Sequence, residues 1–179
     1  MRILEVQIRN FGKFSDKTLR FHQGMNILTG ANEVGKTTIV SFICGMFYGI
    51  EKQRGRASGK DEYSLRQPWE NPAYFAGVIR FESGGKIFRL ERSFHTGEKR
   101  AVLVCETDGE ELSIEDGDLG VLLEGMNETA FRNTLYISQG SSATQAGLAD
   151  EVRRYMTNIQ SAGDSEIDVN RALAKLEDR

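Results

Sequence analysis

The stretch ILTGANEVGKTTIVSFI, Ile27 to Ile43, decides how the rest of the chain is read. It contains G-x-x-x-x-G-K-T from Gly30 to Thr37, the spacing of a phosphate-binding loop. Glycines let a backbone curl around an anion so that several N–H groups point inward. A helix beginning near Gly35 adds its positive N-terminal end. Lys36 is the residue that reaches the β- and γ-phosphates, and the Thr37 hydroxyl coordinates the Mg²⁺ bridging them. The flanks suit the motif. GMNILTG before it is a short apolar run that stops at the loop, expected as a buried strand. After it, Ile39, Val40, Ile43, Met46 and Phe47 recur at spacings of three and four, one face of a helix that Gly49 stops. A glycine-rich turn that binds nothing is the alternative. The expected nucleotide-binding set is Gly30, Ala31, Asn32, Glu33, Val34, Gly35, Lys36, Thr37 and Thr38, with ATP and Mg²⁺ as the ligands.

Glu33 is an acid inside an anion-binding loop. The cradle is built from backbone N–H groups, so the side chain is free to point outward at little cost. An inward carboxylate would repel the γ-phosphate. Glu33 is therefore expected to face out.

With 179 residues the chain is long enough for one domain with a real core. Hydrophobic residues make up 39% and charged residues 27%, an ordinary composition for a water-soluble fold. The formal charge of -3 excludes a polycationic surface, so any grip on nucleic acid needs a local basic face. Two cysteines, Cys44 and Cys105, and two histidines, His22 and His95, include no C-x-x-C or H-x-x-x-H pair, which argues against a zinc site. No apolar run reaches bilayer-spanning length. Few cysteines, and a strand-like segment directly after Met1, lead to the expectation of a cytoplasmic protein without a cleaved leader.

Along the chain, RILEVQIRNF and KTLRFHQG read as strands, so residues 1–50 hold strands, the loop and its helix. Residues 51–74 are polar, contain both prolines, and read as a long loop. Its Lys52, Arg54, Arg56, Lys60 and Arg66 either touch DNA or nucleotide phosphates or belong to a solvated loop, the more common outcome. Tyr63 and Trp69 are candidates to stack on a base, though Trp69 between the prolines is equally a local packing anchor. Over residues 75–113 the period changes to two. FAGVIRF, KIFRLERSF and RAVLVCET, separated by ESGG and HTGE, are antiparallel hairpins, with Asp108-Gly109 as a turn. Residues 114–164 return to helical signals, with Asn127 as an N-cap and LYISQG as a short strand. In residues 165–179, Val169, Leu173 and Leu176 give the start of a heptad.

Taken together, ILEVQIRNFGKFSDKTLRFHQGMNILTGANEVGKTTIV resembles the N-terminus of the SMC/SbcC/RecN/RecF group of ABC-type ATPases, in which a strand ending in N-F and a second strand precede G-x-N-x-x-G-K-[ST]-[ST]. Asn10, Phe11, Gly30, Asn32, Gly35, Lys36, Thr37 and Thr38 fit that pattern, and N-E-x-G-K-T-T with FYG closing the helix most resembles the YhaN-like branch. AFRNTLYISQG is similar to the Q-loop region of the same group, which implies that Gln139 contacts Mg²⁺ or the attacking water. Lys36 and Gln139 are then the catalytic residues, and Thr37 and Gln139 the metal ligands. Many relatives carry glycine at the Glu33 position and a basic residue straight after N-F, where this chain has Gly12 and then Lys13.

The fold implied is α/β: a P-loop, ABC ATPase-like core lobe with an antiparallel β-subdomain and C-terminal helices leading toward a coiled coil. The signature motif, the Walker B strand and the switch histidine of the group are absent from these 179 residues. The resemblance therefore implies the N-terminal lobe of an ATPase head, completed by the C-terminal half of its own polypeptide and by a second head that dimerises over ATP. DNA and an SbcD-like nuclease are the further partners implied, and no membrane. Two other functions remain open: a small-molecule P-loop kinase, and an ATP-gated interaction module with little hydrolysis.

Overall fold

The hairpin pattern and the N-terminal strands build one sheet. The computed structural model describes residues 1–53 and 61–136. Six strands, β1 (Arg2–Phe11), β2 (Phe14–Arg20), β3 (Ala76–Ser83), β4 (Lys86–Ser93), β5 (Arg100–Cys105) and β6 (Glu111–Leu112), are ordered β2-β1-β3-β4-β5-β6 and are antiparallel throughout. Gly84 and Gly85 join β3 to β4. Both have positive φ, as the two central residues of a type I′ turn require. The Asp108-Gly109 turn leads from β5 into the short β6, which the pattern of apolar residues did not reveal.

Helix α1 (Lys36–Tyr48) covers one face of this sheet. Val6, Ile79, Leu90 and Leu103 stand in register across four strands and are fully buried. Phe42 descends onto the sheet at Gly77, where a Cβ would lie 2.2 Å from its ring. Its ring meets Phe11 edge-on, with centroids 5.1 Å apart, and Phe94 at 6.2 Å. Phe42 thus anchors the helix, whereas Val40, assigned to the inner face from its spacing, is exposed. At the far end of α1, half-buried Arg92 on β4 donates to the carbonyls of Met46 (2.8 Å) and Phe47 (3.4 Å). A cation on the last-turn carbonyls satisfies orphan acceptors and opposes the helix dipole. Desolvation lowers the Arg92 pKa from its ordinary value.

Two expectations change. GMNILTG is not a buried strand: residues 25–30 lie outside the sheet, with Met25 88% and Ile27 76% exposed. A strand is buried only when neighbours flank it. After β2 the chain follows β1 as far as the Phe21 N–H to Leu4 bond, then turns away through Asn26, whose side chain closes a loop onto His22 and Gly24. No described strand pairs with residues 27–29. The second change lies in 51–74, which contains a helix, α2 (Glu62–Arg66), capped by Asp61 through the Ser64 N–H. Helix α3 (Asp118–Leu122) closes the first of two units, Met1–Glu124. In the second unit, α4 (Glu128–Thr134) starts at Asn127, whose side chain accepts from Ala130 N. Gln139, expected as the Q-loop residue, the rest of LYISQG beyond Tyr136 and the heptad expected in 165–179 lie outside the described residues.

Candidate functional site

The candidate phosphate-binding loop sits where α1 begins. Gly35 is the N-cap, at φ 103°, and a Cβ there would stand 2.5 Å from the Phe14 ring. Only glycine meets both demands. The first helical bond is Ile39 N–H to Gly35 O, so the preceding amides of α1 have no helical acceptor. No acidic residue lies in that first turn. The Lys36 ammonium lies over the loop itself, donating to the carbonyls of Gly30 (2.7 Å) and Ala31 (2.8 Å). Thr37 is exposed at the helix start and Thr38 is half-buried behind it.

Glu33 is exposed and has φ 65°, the left-handed region that favours glycine. A glycine would hold this backbone without that strain. Ala31, Asn32 and Val34 are exposed with it.

The hairpin turn between β1 and β2 braces the loop from one side. The Lys13 ammonium donates to the Glu33 carbonyl, Phe14 packs on Gly35, and a Cβ on Gly12 would stand 3.1 Å from Thr38 Cγ2. Lys13 therefore lies at the loop. The same turn holds the segment after α2. Gly12 N–H donates to Arg66 O (2.7 Å), and Trp69 N–H donates to Gly12 O (3.2 Å). Asn10, 7% exposed, donates to the carbonyls of Asn71 (3.1 Å) and Tyr74 (2.7 Å).

Through these bonds Arg66 arrives beside α1, with a terminal nitrogen 3.4 Å from Thr38 Oγ1 and Nε 3.2 Å from Glu62. Of the described loop cations, Arg66 and not Lys52 is thus brought to the candidate loop, while Lys52 lies over the Tyr63 ring and Arg54, Arg56 and Lys60 lie outside the described residues. Tyr63 is buried and packs on Phe75, so it is a core residue. Trp69 is 74% exposed and so is not a packing anchor. Arg66, one of the cations expected either to touch phosphates or to stay solvated, and the turn Phe11 to Phe14 join the candidate site from outside the motif. The signal available was the i,i+4 pair Glu62 and Arg66 behind an Asp61 cap. Asp108, on its turn, pairs with Lys86 at 2.7 Å, which holds its carboxyl below the usual range, far along the sheet from the loop. A cavity of about 310 Å³ lined by Ile50, Arg92, Lys99 and Arg100 sits at the opposite end of α1, away from the phosphate-binding backbone.

Residues 5–178 match the family model described as AAA domain. The chain belongs to that family. It is 28% identical over 135 residues to the uncharacterized protein YhaN of Bacillus subtilis, covering 74% of this chain and 12% of YhaN. It is 28% identical over 93 residues to the DNA double-strand break repair Rad50 ATPase of Sulfolobus acidocaldarius, covering 52% of this chain and 10% of the relative. With the Rad50 ATPase of Methanopyrus kandleri the identity is 25% over 161 residues, covering 85% and 18%. The chain therefore spans less than a fifth of the length of these relatives. A solved structure described as "Structural biochemistry of ATP-driven dimerization and DNA stimulated activation of SMC ATPases" superposes with a TM-score of 0.54 at 17% identity, covering 85% of this chain and 96% of that one. That likeness fixes the fold: a mixed α/β SMC ATPase head type. The two Rad50 relatives are themselves named as ATPases. Among the described residues no helix is long and apolar enough to cross a membrane.

Proposed function

We propose that this chain is the ATP·Mg²⁺-binding N-terminal lobe of an SMC/SbcC-like ATPase head. The observation that carries the proposal is the start of α1, where Gly35 at φ 103° packs on Phe14 and opens a helix with free amides and Lys36 at the loop centre. The donor set suits the ligand. Backbone amides from Gly30 to Thr38 cradle the phosphates, and Lys36 exchanges the Gly30 and Ala31 carbonyls for β- and γ-phosphate oxygens. Arg66, beside Thr38, adds a second positive charge at the same end. The Thr37 hydroxyl is a hard oxygen ligand, which fits an ion that takes few protein ligands and keeps substrate phosphates and waters. Bound with ATP, Mg²⁺ would neutralise part of the phosphate charge. Gln139 is proposed as the residue that contacts the metal or the attacking water.

The exposed apolar segment from Met25 to Leu28 leads straight into this loop. We assign it to pairing with the C-terminal half of the same polypeptide, a partner supported by the short span of the relatives that this chain covers. That half would bring the Walker B and signature motifs, and a second head would close over ATP. Dimerisation over ATP, action on DNA in repair or processing, a nuclease partner and the coiled coil are proposed from the Rad50 and SMC likenesses, and a cytoplasmic location from the few cysteines. The test is ATPase activity of this chain alone, then mixed with the C-terminal part, with and without DNA. We expect binding without appreciable turnover alone and DNA-stimulated turnover in the mixture. Full turnover by the isolated chain, or phosphorylation of a small acceptor, would overturn the proposal.

A further inference from the structure

Trp69 is a large apolar ring left in water, yet the backbone that carries it is tied down. Its own N–H bonds the Gly12 carbonyl, Arg66 O accepts from Gly12 N–H, and Asn10 grips Asn71 and Tyr74. Phe75, next along, is fully buried against Phe11 and Phe94. The segment is thus fixed to the β1–β2 turn at both ends, with 74% of Trp69 exposed between them. The other side of the same turn abuts the phosphate-binding loop, through Lys13 on Glu33, Phe14 on Gly35 and Gly12 on Thr38. One turn therefore tethers both the phosphate cradle and the backbone that carries Trp69.

We infer that Trp69 is the base platform of the nucleotide site, stacking on the nucleobase of a nucleoside triphosphate whose phosphates lie on Gly30 to Thr38. The inference rests on the proposed phosphate role of that loop. A tethered backbone lowers the ordering cost of stacking, and stacking tolerates any base because every base has a π-face. ATP and GTP are both expected to bind more tightly than the phosphate chain alone. Arg66 and Trp69, three residues apart on one tethered segment, then contact opposite ends of one ligand: the arginine the phosphates, the tryptophan the base.

Trp69 is the single tryptophan of the chain, so its emission reports this place alone. The experiment titrates the chain with Mg²⁺-ATP and with Mg²⁺-tripolyphosphate, following emission and, in parallel, heat of binding. We expect ATP to quench Trp69, tripolyphosphate to bind without quenching, and excess tripolyphosphate to displace ATP and restore the emission. By calorimetry, Trp69→Leu should bind ATP roughly tenfold or more weakly and tripolyphosphate unchanged, while Trp69→Phe recovers most of the loss. ATP binding without a change in emission, equal quenching by tripolyphosphate, or unchanged ATP affinity in Trp69→Leu would each overturn the platform and leave the phosphate role standing. Absence of binding by both ligands would overturn the two together.

Discussion

Gly77→Ala should unseat the P-loop helix from the sheet. The added methyl would stand 2.2 Å from Phe42 Cζ and 2.8 Å from the Gln7 carbonyl oxygen. Carbon atoms in favourable contact sit at about 3.5–4.0 Å, so the ring must retreat by more than an ångström. It has no room to do so, lying between Phe11 and Phe94. The Gln7 oxygen belongs to the β1–β3 ladder and gives even less. Overpacking of this kind costs about 1–3 kcal/mol, and with a backbone contact included the upper end applies. For a unit of this size that corresponds to a fall in Tm of roughly 10 °C. Because Lys36 and Thr37 ride on the same helix, ATP affinity should fall with it. Thermal unfolding by circular dichroism measures the first effect and calorimetry the second. Phe42→Leu supplies the control: the smaller side chain vacates part of the clash, so the double variant should be more stable than the sum of the single losses by about 1 kcal/mol. A Gly77→Ala chain melting within about 2 °C of the parent, or strict additivity of the two changes, would refute this packing scheme.

Three further outcomes follow from named contacts. Asn10→Asp keeps the shape of the side chain but replaces the donor that serves Asn71 and Tyr74 with an acceptor facing two carbonyls. It should lose more stability than Asn10→Ala, which itself loses about 1–3 kcal/mol, in urea unfolding. Glu33→Gly removes the left-handed strain of a non-glycine residue and should stabilise by up to about 1 kcal/mol with ATP binding kept, while Glu33→Val should destabilise. The Glu5 carboxyl is held below its usual range first by the hydrogen bond from Arg20 and then by that from Gln7. A carboxylate with a lowered folded pKa stabilises above its unfolded value, about 4.5, and loses that contribution as pH falls through the folded value. Arg20→Met should therefore flatten the loss of stability between neutral pH and about pH 3, read as Tm against pH.

The legible parts of the fold are those whose signal is local. Apolar content marked β1, alternation marked the β3–β4–β5 hairpins, spacing of three and four marked α1, and glycines fell where positive φ is needed at Gly49, Gly84, Gly85 and Gly109. The Asn127 cap was local too. What depends on distant partners was not legible. Met25, Ile27 and Leu28 have the composition of a buried strand, but burial requires neighbours that the described residues do not offer. Val40 and Phe42 are both apolar and both lie on α1; a glycine on another strand, Gly77, decides which one enters the core. Within the site, the motif named the loop residues and gave no hint of Arg66, whose place comes from hydrogen bonds between the β1–β2 turn and a segment more than fifty residues later. Asn10 matched a family pattern without a reason; its reason is the pair of carbonyls it serves. In α2 the cap and the ion pair were present in the sequence, but the surrounding glycine, serine and proline outweighed five helical residues.

The most direct test of the phosphate cradle compares ATP binding by the parent chain, Glu33→Ala and Lys36→Ala in one calorimetric series with Mg²⁺ present. The Glu33 side chain is exposed and the cradle beneath it is backbone, so Glu33→Ala should bind within about twofold of the parent. Lys36 supplies the charge at the loop centre, so its loss should weaken binding by at least about tenfold. Equal affinities for the two variants, or a larger loss with Glu33→Ala, would contradict the assignment of this loop as the phosphate site.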